Sequence, residues 1–187
     1  DTDWSTAAFP FRAARHVRVA GAEVLAVRVT YVGELGWELY VPAADAGRVW
    51  DALMDAGAAH GIRPFGLRAL SSLRLEKGYR DFGHDLDNTD DVWGAGLGFA
   101  VALDKPGGFI GHAATAAAKE RGTPHHRIVS VVLDDPEPLL FHGEVLLRDG
   151  VAVGDVRSGS YGWTVGGAVG LAGVGADGPV TADWLNE

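Results

Sequence analysis

A change in periodicity at residue 127 limits the fold more than any other feature of the sequence. Before it, strand-type and helix-type text alternate; after it, strand-type text alone remains. His16–Val19 and Val24–Thr30 alternate branched apolar with polar residues, as half-buried strands do, and Ala20-Gly21-Ala22 between them reads as a hairpin turn. A third strand, Trp37–Val41, is ended by Pro42. Ala46, Val49, Trp50, Leu53, Met54 and Gly57 then recur at helical spacing, which predicts a helix over 43–60, broken by Gly61 and Pro64. A second helix is expected over 65–77, stopped by Gly78, and a third over the Ala-rich 110–121. Tyr79–Trp93 is dense in Asp, Asn, Gly and His without a period, and reads as a long ordered loop. Beyond Arg127, strands are expected at 128–133, 143–148, 151–157 and 166–174, with Asp149-Gly150 turning one hairpin. The fold class is therefore α+β, with a boundary near 122–126. An α+β part covers 1–122 and a small antiparallel β part covers 123–187.

The 187 residues suffice for one ordinary domain or two small ones, and the 27 Gly point to many tight turns. Asp plus Glu number 25 against 16 Lys plus Arg, a formal charge of −9 without a basic stripe, so nucleic acid is not an expected partner. With no Cys, disulfides, thiolate zinc sites and a Cys nucleophile are excluded. No apolar run is long enough to span a bilayer, and no membrane partner is expected. The chain opens Asp-Thr-Asp-Trp, without Met or a targeting segment, so a cytoplasmic location and a piece cut from a longer protein are the expectations. The seven His show no H-x-x-x-H or H-E-x-x-H spacing, so no metal site is expected. Gly94-Ala-Gly-Leu-Gly98 lacks the preceding strand of a dinucleotide fingerprint, and Ser158-Gly-Ser-Tyr161 lacks the outer glycines of a nucleophile elbow.

Chemistry concentrates in Tyr31-Val-Gly-Glu-Leu-Gly-Trp-Glu38, where two glycines flank Glu34-Leu35 and a tight turn feeds a strand. Strand parity sets Trp37, Leu39 and Val41 on a core face and Glu38 with Tyr40 on the other. A carboxylate placed like Glu38 either faces solvent or accepts paired hydrogen bonds from a ligand with two adjacent donors. In the second helix, Leu67, Leu70 and Leu73 define an apolar arc in which Arg74 falls, while Arg68, Ser72 and Glu76 lie on the polar side. An Arg inside such an arc must be ion-paired, snorkelling or aimed at an anionic ligand; a structural ion pair is the leading alternative.

Tyr31-Val-Gly-Glu-Leu-Gly-Trp-Glu-Leu-Tyr40 resembles the Y-x-G-E-x-G-x-E stretch of the glycine-cleavage T-protein family of folate-binding aminomethyltransferases. Ala69–Arg80, Gly83-His-Asp-Leu86 and Ala95-Gly-Leu-Gly98 continue the match. Leu73–Arg80, with Leu103-Asp-Lys-Pro106 and Phe109-Ile-Gly111, looks most like the C-terminal part of FAD-dependent sarcosine and dimethylglycine dehydrogenases, and Tyr161–Leu171 resembles the family's C-terminal barrel. The resemblance implies part of a folate-binding α+β domain followed by a truncated antiparallel β-barrel. It implies a site in which the acid at Glu38 holds the pterin ring of tetrahydrofolate and the aromatic at Tyr31 lines it. Where relatives carry Arg-Asp this chain has Leu70-Ser71, with Arg68 as a possible substitute, and Asp91-Val-Trp-Gly94 replaces Thr-Pro-x-Glu.

The folate-binding set expected from residues and resemblance together is Glu38, Tyr31, Arg68 and Arg74, with no catalytic residue and no metal ligand in the chain. The implied parent oxidises an N-methyl amine at FAD in an N-terminal flavin domain absent here, then captures the one-carbon unit as 5,10-methylene-tetrahydrofolate. The family's catalytic Asp also lies upstream, so this piece is expected to be catalytically incomplete. A stand-alone aminomethyltransferase and a non-catalytic folate-binding or interaction module are the alternatives.

Overall fold

Positive φ at both Ala20 (47°) and Gly21 (77°) gives the first hairpin the two-residue turn that matches strand twist. In the computed structural model, which describes residues 2–186, this turn joins β1 (Ala14–Val19) to β2 (Ala22–Val27). β3 (Glu38–Tyr40) adds antiparallel to β2, with Leu25 opposite Tyr40 and Val27 opposite Glu38, so the sheet order is β1-β2-β3. Alternation sends Val17, Ala22, Val24 and Ala26 inward, where they close a core with Phe9 and Val49. Trp37, Leu39 and Val41 pack against that core, as strand parity predicts, although β3 itself is shorter than expected.

The helical run matches the predicted 43–60: α1 (Ala46–Gly57) is flanked by single 3-10 turns at Ala43–Asp45 and Ala58–His60, and Gly61 ends it in the left-handed region. Val49 of its apolar stripe is buried, whereas Trp50 and Leu53 are exposed.

Two compact units divide at Leu70/Ser71, inside α2 (Leu67–Glu76). The expected boundary at 122–126 lies within the second unit, between α3 (His112–Glu120) and β4 (His126–Val132). Burial along α2 departs from the predicted arc. Leu67, in the first turn, is 82% exposed, while Ser72, Arg74 and Leu75 near the other end are buried. Of the expected polar side only Arg68 faces solvent, because Ser72 and Glu76 bond backbone groups. Ser72 Oγ donates to the Tyr161 carbonyl (2.6 Å), and the Glu76 carboxylate accepts from the backbone N–H of Thr164 (2.7 Å) and Val165 (3.0 Å).

In the second unit, β4, β5 (Val145–Arg148), β6 (Val151–Gly162) and β7 (Gly167–Gly175) form an antiparallel sheet ordered β4-β7-β6-β5. Among the described residues the ladder does not close from β5 back to β4. A short α4 (Ala182–Asn186) follows. Asp149 (φ 51°) and Gly150 (φ 79°) make the predicted turn between β5 and β6. β6 runs five residues past the expected end at 157 through a bulge between Val156 and Ser158, so Ser158–Tyr161 is strand.

Strand approach in this sheet depends on glycine. A Cβ on Gly154 would sit 1.9 Å from the Gly173 carbonyl oxygen, a backbone atom that cannot swing away. Gly154→Ala is therefore expected to lower stability by about 1–3 kcal/mol. Urea unfolding checks this, and an unchanged midpoint would mean that β6 and β7 can part at no cost.

Candidate functional site

Glu38 opens β3 and Tyr40 closes it, and because strand side chains repeat every second residue both point away from the core. Both are exposed, and the Tyr40 hydroxyl donates to Glu38 Oε2 at 2.7 Å. That bond, with the carboxylate's charge behind it, raises the Tyr40 phenol above its ordinary pKa. A hydroxyl has one proton to give and a carboxylate about four acceptor positions, so Glu38 retains capacity for a planar pair of donors. The outward face around this pair carries His16, Leu25 and Val27 by register. A groove of about 740 Å³ runs beside it, lined by His16, Glu23, Leu25, Leu39, Tyr40 and Val41.

Tyr31 stands half-buried in the connection that leads from β2 into β3. Arg68 is exposed in the first turn of α2. Glu38, Tyr31 and Arg68 all belong to the first compact unit, whereas Arg74 belongs to the second.

Arg74 is 3% exposed and its guanidinium is committed within the protein. Nη1 pairs with Asp85 Oδ2 and donates to the Tyr79 carbonyl (2.9 Å), and Nη2 donates to Ser158 Oγ (2.9 Å). Ser158 in turn donates to Asp85 Oδ1, and the Asp81 N–H reaches Asp85 Oδ2 (2.7 Å). The leading structural alternative for Arg74 is thus the arrangement observed, and its donors point into this network. Next to it, burial pushes the Arg80 guanidinium below its ordinary range, opposed by the charge of Asp85. Arg80 Nε donates to the Ala95 carbonyl (3.1 Å).

Asp85 and Ser158 escaped the sequence analysis as partners because they lie 11 and 84 positions from Arg74. Tyr40 could have been found: parity already set it beside Glu38. Among the described residues no group of three metal-ligating side chains is placed to hold an ion. His84 and His142 stack on each other (5.1 Å), and His126 lies 3.9 Å from Asp90.

The model of the GCVT N-terminal domain matches residues 1–105, and that of the glycine cleavage T-protein C-terminal barrel domain matches 126–184. The chain is 44% identical over 182 residues to 4-methylaminobutanoate oxidase (formaldehyde-forming) of Paenarthrobacter nicotinovorans, covering 97% of this chain and 22% of that protein. It is 38% identical to mitochondrial sarcosine dehydrogenase of Homo sapiens, covering 100% of this chain and 20% of the relative. It is 40% identical to an aminomethyltransferase of Saccharopolyspora erythraea, covering 94% and 47%. The chain thus spans about a fifth of the oxidase and dehydrogenase and just under half of the aminomethyltransferase. Among solved structures, aminomethyltransferase T of the glycine cleavage system from Bartonella henselae superposes with a TM-score of 0.76 at 25% identity, covering 88% of this chain and 44% of that one.

Proposed function

Since the chain belongs to the glycine-cleavage T-protein family, we propose that it is the tetrahydrofolate-binding segment of an FAD-dependent dehydrogenase or oxidase of N-methyl amino acids. The relatives named as sarcosine dehydrogenase and 4-methylaminobutanoate oxidase support that parent, and the small share of them that this chain spans leaves room for a flavin domain elsewhere. In this reading residues 1–122 supply part of the folate-binding domain and 123–187 the barrel part. Trp50, Phe65 and Leu67, exposed here, are faces for the remainder of the protein to cover.

The observation that carries the reading is the outward carboxylate of Glu38, fixed by Tyr40 yet with acceptor capacity left over. A pterin offers an amino group beside a ring N–H, a donor pair that matches a carboxylate fork. Glu38 binds and orients that ring, Tyr31 lines it, and Arg68 supplies positive charge. One-carbon capture, giving 5,10-methylene-tetrahydrofolate, is the chemistry a bound folate supplies. The protein's part is to position the folate and keep water away from the transferred carbon. Arg74 is left out of the set, since its guanidinium is buried and paired with Asp85.

Glu38→Gln exchanges one acceptor oxygen for an NH2 that faces the pterin donors. In the full protein it is expected to weaken tetrahydrofolate binding between about tenfold and a hundredfold, the scale of one charge-assisted hydrogen bond. Flavin-linked amine oxidation is expected to persist. Calorimetry with tetrahydrofolate tests this, and an unchanged dissociation constant would refute the assignment. A stand-alone aminomethyltransferase, supported by the 40% identity above, is separated by the sequence that precedes Asp1 in the parent: a G-x-G-x-x-G strand-turn-helix marks the flavoprotein.

A further inference from the structure

We infer that Tyr40 is the positioning residue for the Glu38 carboxylate, holding one of its oxygens so that the rest of the fork meets the ligand in a fixed orientation. The inference rests on the folate reading of Glu38 and adds a second residue to it. A free glutamate on a strand face samples many rotamers, and each unproductive one weakens a geometry that needs two donors met at once. The Tyr40–Glu38 bond, 2.7 Å between a neutral hydroxyl and a carboxylate, removes much of that freedom before the ligand arrives.

The surroundings favour this partner over others on the same face. His16, the titratable group in the cross-strand row of Tyr40, is turned to Glu23 at 3.7 Å. Arg18 stands at the far end of β1, opposite Glu23. Tyr40 itself is rigid for its size, with two side-chain torsions, and its strand is tied to β2 through the Leu25–Tyr40 and Val27–Glu38 pairs. Tyr40 also lines the groove beside the sheet, next to His16 and Leu25 of its own cross-strand row. A charge-neutralising role would call for a cation at this position. A hydroxyl carries no charge to offset the carboxylate and instead aims it.

The test is a double-mutant cycle in the full protein with tetrahydrofolate as the titrant, read by calorimetry, together with spectrophotometric titration of tyrosine. Tyr40→Phe is expected to weaken binding by about fivefold, the effect of one lost orienting hydrogen bond. It should add nothing further in a Glu38→Ala background, because there is no side-chain oxygen left to aim. In the titration, the phenol lost in Tyr40→Phe should be one that ionises above the ordinary range near pH ~10, and Glu38→Gln should bring it back down. If Tyr40→Phe leaves the affinity unchanged, or weakens it equally in both backgrounds, the positioning role is overturned while the folate reading stands. If Glu38→Gln leaves affinity unchanged although the tyrosine titration shows the pair intact, the folate reading fails and the positioning role falls with it.

Discussion

Replacing Arg74 by alanine is expected to lower stability by about 3–5 kcal/mol, because the change strands a carboxylate that has no access to water. Asp85 is 0% exposed, and its charge is met by the Arg74 guanidinium, the Ser158 hydroxyl and the Asp81 N–H. Removing the guanidinium leaves the Ser158 hydroxyl and the Asp81 backbone N–H as its donors, both neutral groups. The same change also deprives the Tyr79 carbonyl of the Arg74 donor. Attraction between the pair is not itself the stabilising term, since most of it is spent on desolvating two ions. The cost arises from breaking a closed set. Arg74→Met combined with Asp85→Leu should therefore recover most of the loss, whereas Ser158→Ala alone should cost about 1–3 kcal/mol, since it leaves an Asp85 oxygen without a donor and an Arg74 N–H without an acceptor. Equilibrium unfolding of the three variants settles the matter, with a loss under about 1 kcal/mol for Arg74→Ala counting against the argument. Tetrahydrofolate affinity, measured where the variants remain folded, should be little changed by Ser158→Ala.

What the sequence revealed follows from the range over which each signal acts. The turns at Ala20-Gly21 and Asp149-Gly150 are local: their backbone requirements are written in adjacent residues, and both hairpins form. Parity within Trp37–Val41 is likewise local, so the outward direction of Glu38 is legible in five consecutive residues. α2 shows the limit. Its apolar spacing suggested a single buried arc through Leu67, Leu70 and Leu73, yet Leu67 is exposed and Ser72 buried, because what surrounds a helix can change along its length. Arg74 could be recognised as needing a partner, but partners at positions 85 and 158 are chosen by tertiary packing, for which no short-range pattern exists. Glycine hid the full length of β6: Gly154 and Gly159 interrupt the alternation, and the bulge at Val156–Ser158 shifts its phase.

Phe9 lies before the first strand, in text with no period, and it carries the other large effect. Its ring is 0% exposed and stacks on Trp4 at 5.5 Å, while Trp37 meets it edge-on at 6.3 Å and Trp4 at 5.3 Å. Arg28 ties the cluster together, donating from Nη1 to the Phe9 carbonyl and placing its guanidinium 5.6 Å from the Trp37 ring centroid. Phe9→Ala is expected to cost about 3–5 kcal/mol, the transfer energy of the ring plus the cavity that Trp4 and Trp37 cannot close without leaving their mutual packing. Phe9→Leu should cost less, since most of the volume is kept. The effect should reach the candidate site through a single covalent neighbour. Trp37 directly precedes Glu38, so a tryptophan that relaxes into the cavity re-aims the start of β3 and with it the carboxylate. The expected signature is therefore twofold: a lower unfolding midpoint with altered tryptophan fluorescence, and a weakened tetrahydrofolate affinity in protein that is still folded. A variant that loses stability while binding as tightly as before would show that β3 is held by its ladder to β2 and not by the aromatic cluster beneath it.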